Sequence, residues 1–84
     1  MYDYYFTFQS VSRAQKAVFA LTQRGIQAIL TKSPKAISGY GCSYAIKVSK
    51  TIFYPALRNL QENHIGFEHL FRMNQSGTIE EVIL

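Results

Sequence analysis

Tyr2-Asp3-Tyr4-Tyr5-Phe6-Thr7-Phe8-Gln9 decides how the rest of the chain is read. Tyr2, Tyr4, Phe6 and Phe8 alternate with Asp3, Tyr5, Thr7 and Gln9, and this period of two predicts a strand with its even positions inward. The period then changes. Ser10 or Ser12 can cap a helix by accepting a backbone N–H bond, and Ala14, Ala17, Val18 and Leu21 fall at i, i+3, i+4 and i+7. Arg13, Lys16, Gln23 and Arg24 lie elsewhere on that helix, and Gly25 suits the position that ends it.

Further along, Ile26, Ala28 and Leu30 alternate with Gln27, Ile29 and Thr31 as a second strand, stopping before Ser33 and Pro34. Residues 33–43 are the most loop-like stretch. Tyr44, Ile46 and Val48 form a third strand, and Thr51 is placed to cap a second helix that tolerates Pro55 near its start. Phe53, Ala56, Leu57, Leu60 and His64 trace its inner face. A stop at residues 63–66 leads to a fourth strand with Phe67, His69 and Phe71 inward.

The order β-α-β-β-α-β predicts a ferredoxin-like α/β (α+β) sandwich: a four-stranded antiparallel sheet with two helices on one face. Residues 1–73 make one domain, and 74–84 are a C-terminal tail, either an added strand or a loose end. The expected core is Tyr4, Phe6, Phe8, Ala14, Val18, Leu21, Leu30, Ile46, Val48, Leu57, Leu60 and Phe71. Tyr5, Ile29, Ala45 and Leu70 would then form an apolar patch on the open face, which predicts a homo-oligomer or a partner there.

Composition agrees with one small folded unit. The chain has 84 residues, 48% hydrophobic and 17% charged, which excludes a disordered tail or a rod. Its longest apolar run, residues 17–21, is far below the roughly 20 residues of a membrane span. Met1 is followed by Tyr-Asp-Tyr-Tyr rather than a basic segment and an apolar one, so a cytoplasmic protein without membrane contact is expected. A net charge of +4 permits an anionic partner without naming one. No paired carboxylates, phosphate-binding loop or Ser-His-Asp spacing appears, and the single cysteine and two histidines have no zinc-ligand spacing. No cofactor or metal is therefore expected.

Cys42 is the candidate for chemistry. It lies between Gly41 and Ser43, in a loop that also holds Pro34 and Lys35. In the expected strand order this loop shares a sheet edge with the first helix's N-terminus, near residues 10–13. The helix dipole at Ser12 and Arg13, with Lys35, would favour the thiolate, and Gly41 would let a partner's sulphur approach closely. The alternative is a small buried hydrophobe that only packs.

Phe6-Thr7-Phe8-Gln9-Ser10 with Ala14 and Ala17, Gly25-Ile26, and Pro34-Lys35-Ala36-Ile37-Ser38 followed by Gly41-Cys42 form a recognisable series. In these residues, from Tyr4 to about Phe71, the chain resembles the small domains described as putative selenium/sulphur carrier protein-like. Ser43 stands where that family usually has Gly, and Lys35 where Arg is common. The resemblance implies a carrier rather than a turnover enzyme, holding a persulphide-type sulphur or selenium on Cys42 between donor and acceptor proteins.

Two other readings compete. Gly39-Tyr40-Gly41 resembles the middle of the RNA-binding motif on the third strand of RNA-recognition domains. Against nucleic acid, Ser38 and Cys42 stand where that motif wants a basic and an aromatic residue, and only Tyr5 is left to stack on the open face. A non-catalytic interaction module with a structural cysteine is the other. His64 could exchange a proton with the sulphur or simply sit at a helix end, and His69 is expected at an inward position. Arg13, Lys16 and Arg24 form either a solvated face or a surface for an acidic partner.

Overall fold

The computed structural model describes residues 2–35 and 44–83. Among them are two α-helices and one five-stranded antiparallel sheet. β1 (Asp3–Phe8), α1 (Val11–Gln23), β2 (Ile29–Lys32) and β3 (Tyr44–Ser49) are followed by a 3₁₀ turn, Lys50–Ile52. Then come α2 (Phe53–Glu62), β4 (His69–Met73) and β5 (Ile79–Glu81). The strand order is β2-β3-β1-β4-β5, so the aromatic-rich β1 is central. The sheet exceeds the expected four strands because the tail pairs as β5.

Register explains which side chains meet. Phe6 lies opposite Ile46 on β3 and Leu70 on β4, so these three share one face. That face meets Ala14, Ala17 and Leu21 of α1 and Phe53, Ala56 and Leu60 of α2 in a single buried cluster. Phe53 stacks on Tyr4 with ring centroids 3.9 Å apart, and Phe67 meets Phe6 edge-on at 4.9 Å. Both are geometries that aromatic quadrupoles favour.

β4 has the opposite parity to the one expected: Leu70 faces the helices, while His69 and Phe71 occupy the other face with Tyr5 and Ala45. The cause is local. The Thr7 carbonyl accepts from the Glu68 N–H at 2.8 Å, and the Thr7 hydroxyl accepts from the His69 N–H at 3.0 Å and donates to the His69 carbonyl at 3.2 Å. Two residues thus oppose one, as in a β-bulge, and the alternation begun at Phe67 is reversed. The reversal takes Leu70 out of the expected apolar patch. Tyr5 is 7% exposed and Ala45 fully buried, so of that patch only Ile29 is exposed.

Two smaller expectations also change. Leu30 stays 36% exposed because it lies on a short edge strand paired only with β3. Thr51 does not cap α2; it lies in the 3₁₀ turn, where its hydroxyl meets that of Ser49 at 2.9 Å. Ser10, by contrast, caps α1 by accepting from the Arg13 N–H.

The tail is held by Asn74, whose Oδ1 accepts from the Ser76 N–H, the Ser76 hydroxyl and the Thr78 N–H at 2.9–3.1 Å. Gly77 adopts a φ of 86° that suits glycine. Val82 then donates to the Leu70 carbonyl at 2.7 Å. Across the pair, Arg72 donates to Glu80, which holds the arginine above its ordinary pKa, and His69 Nδ1 lies 2.9 Å from Glu81. Asn74→Ala should cost about 1 kcal/mol, since these bonds are solvent-exposed. Hydrogen exchange should show faster exchange at Val82 while the amides of β1 stay protected.

Candidate functional site

Phe8, Tyr44 and Lys32 lie side by side across one end of the sheet, because Phe8 pairs with Tyr44 and Tyr44 with Lys32. At the strand spacing of about 4.8 Å, this puts the exit of β1 and the exit of β2 roughly 10 Å apart. From the first, the chain passes through Ser10 into α1, and from the second it passes to Ser33, Pro34 and Lys35. Four of the expected site residues thus leave the same sheet end: Ser12 and Arg13, both exposed on the first turn of α1, and Pro34, half-buried, with Lys35, exposed. The other two, Gly41 and Cys42, lie outside the described residues, as does the Gly39-Tyr40-Gly41 motif.

The first turn of α1 contains no acidic residue, so nothing there offsets the positive end of the helix dipole. Among the described residues, the ion pairs engage Lys47, His69 and Arg72, and none involves Arg13. Ser33 was not singled out by sequence, yet its hydroxyl is buried without a hydrogen-bond partner among the described residues. Buried polar groups are normally satisfied, and an isolated serine before a proline gives no sequence signal of this.

His64 lies beside the same turn of α1. Arg13, Lys16, His64, Ile65 and Gly66 line a cleft of about 280 Å³. His64 ends α2 in a left-handed conformation, φ 56°, with its N–H donating to the Gln61 carbonyl at 3.2 Å and the Ile65 N–H to the Leu60 carbonyl at 2.9 Å. α1 ends with the same pair of bonds around Gly25, φ 72°. Both are Schellman turns, so His64 holds a place that glycine fills at lower cost. His64→Gly should stabilise the protein by about 0.5–1 kcal/mol in urea unfolding. Destabilisation would mean instead that the imidazole's contacts outweigh the backbone strain.

His69 is not at the inward position expected for it; it sits on the other sheet face against Glu81. Tyr5, the aromatic that RNA binding would need for stacking, is 7% exposed and presents no ring to a base. No helix among the described residues is long and apolar enough to cross a membrane.

No curated protein matches the sequence. The family described as putative Se/S carrier protein-like matches residues 3–72, a span that takes in β1 to β3, both helices, all of β4 but its last residue, and Cys42. The chain belongs to the putative Se/S carrier protein-like family.

Proposed function

We propose that the protein carries a single sulphur or selenium atom on Cys42, taking it from one protein and giving it to another. The observation that carries this reading is family membership across a span containing the only cysteine of the chain. Membership implies dealings with other proteins. The order β2-β3-β1-β4, considered without β5, supports a ferredoxin-like scaffold.

In the proposed step the Cys42 thiolate attacks the terminal sulphur of a donor persulphide. The new S–S bond forms at Cys42 as the donor's own S–S bond breaks, and the electron pair leaves on the donor sulphur as a thiolate. Transfer to an acceptor thiol repeats the exchange in the other direction, so no oxidant or reductant is consumed. Selenium follows the same path. With no second cysteine in the chain, no internal disulfide can expel the carried atom.

In this reading Cys42 lies near the sheet end from which its loop leaves, where a thiolate would be favoured. The uncompensated N-terminus of α1 and the exposed Arg13 and Lys35 are positive, and positive surroundings lower a thiol's pKa. The Ser33 hydroxyl, without a hydrogen-bond partner among the described residues, is a further donor at that sheet end. Incubation with a cysteine desulphurase and cysteine tests the reading: intact-mass spectrometry should show added mass of one sulphur atom, reversed by a reducing thiol. A thiol that stays unloaded and inert to alkylation in the folded state, yet reacts when unfolded, would make Cys42 structural.

A further inference from the structure

Beside α1 a second cleft of about 340 Å³ adjoins the first, sharing Lys16 and Ile65 with it, so that together they form one groove between α1 and the C-terminal half of α2. Arg13, Lys16 and Arg24 line its α1 side, His64 stands at one end, and no Asp or Glu lines either cleft among the described residues. Phe19, 63% exposed, also lines it. At 100° per residue, Arg13, Lys16, Ala20, Gln23 and Arg24 fall within about 100° of one another, with Phe19 beside them. This stripe is not the one α1 buries, since Ala14, Ala17 and Leu21 face the sheet.

We propose that this groove is the docking surface for an acidic segment of a partner protein, its carboxylates spaced along α1 and an apolar side chain against Phe19. Spacing decides against a lone oxyanion. Arg13 and Arg24 are about 16 Å apart along the helix axis, so one oxyanion would engage both only by drawing their side chains together away from the rest of the groove. A chain of carboxylates need not. The choice of protein over nucleic acid rests on the family and its dealings with other proteins. The groove itself is argued without Cys42, so a failed docking test would leave sulphur loading to be judged by its own assay.

The test uses fluorescence anisotropy of a labelled peptide of about twelve residues, long enough as a helix to span the groove, made of glutamates around a central Leu-Leu pair. Saturable binding is expected, weaker by at least about tenfold when glutamines replace the glutamates or when Arg13→Glu and Lys16→Glu are combined. Arg13→Gln with Arg24→Gln gives the same direction without charge reversal, and circular dichroism checks the fold of each variant. Lys50→Glu is the control: Lys50 lines neither cleft and its Nζ lies over the Tyr2 ring, 5.6 Å from the centroid, so its reversal should change affinity less than about twofold. Absence of saturable binding, equal weakening by Lys50→Glu, full competition by inorganic phosphate at the peptide's own concentration, or tighter binding of a labelled oligouridylate of equal charge would each overturn the proposal.

Discussion

Cys42→Ser is expected to abolish sulphur loading from a cysteine desulphurase, down to the level of a protein with no thiol. The argument is one of nucleophilicity and number. A thiol of ordinary pKa, about 8.5, is a few per cent ionised at neutral pH, and a positive setting raises that fraction. A serine hydroxyl stays protonated there and is a far weaker nucleophile toward sulphur than a thiolate. The chain has no other cysteine to take over the role, so the loss should be complete rather than partial. Urea unfolding of the same variant separates chemistry from folding, since a carrier cysteine predicts lost loading at an unchanged midpoint. Loading of Cys42→Ser as efficient as that of the unaltered protein would end the carrier reading.

Whatever depended on side-chain periodicity was legible in the sequence, and whatever depended on a single backbone hydrogen bond was not. Phe6, Phe8, Ile46 and Val48 announce their strands by alternation, and they are all buried on the face the helices cover. Ala14, Ala17 and Leu21 do the same for α1. The reversal at β4 turns on the Thr7 hydroxyl standing in for a backbone partner of His69, an exchange that no periodicity encodes. Extrapolating from Phe67 therefore put Phe71 on the helix side and Leu70 opposite, the inverse of what the register with β1 dictates.

The candidate site divides along the same line. Ser12, Arg13, Pro34 and Lys35 can be placed at one sheet end from strand order alone, because strand direction fixes where each loop emerges. The left-handed His64 could not be read in the same way. Asn63-His64-Ile65-Gly66 marks a helix stop but does not say which residue takes the positive φ, and the nearby Gly66 is the more natural choice. Only the bonds from His64 to Gln61 and from Ile65 to Leu60 settle it. The groove between the helices was equally hidden, since it depends on how α2 lies against the Arg13 side of α1.

Phe6→Ala should be the most damaging single substitution to the fold. Phe6 is wholly buried on the central strand, flanked by Ile46 and Leu70 across the sheet, and it meets Phe67 edge-on and Phe53 at 6.0 Å. Truncation removes the ring's transfer free energy and leaves a cavity that three elements would have to collapse to fill, at a cost of about 3–5 kcal/mol. At roughly 0.05–0.15 kcal/mol per residue, a chain of this length has about 4–13 kcal/mol of total stability, so the loss is a large fraction of it. The midpoint of thermal unfolding should fall by more than about 12 °C, at 4–8 °C per kcal/mol for a small domain. Phe19→Ala is the matched control, because the same side chain on the exposed face of α1 is 63% exposed and its loss should stay near about 0.5 kcal/mol. If the two variants unfolded at similar temperatures, Phe6 would not be at the centre of the core and the β1 register with β3 and β4 would be wrong.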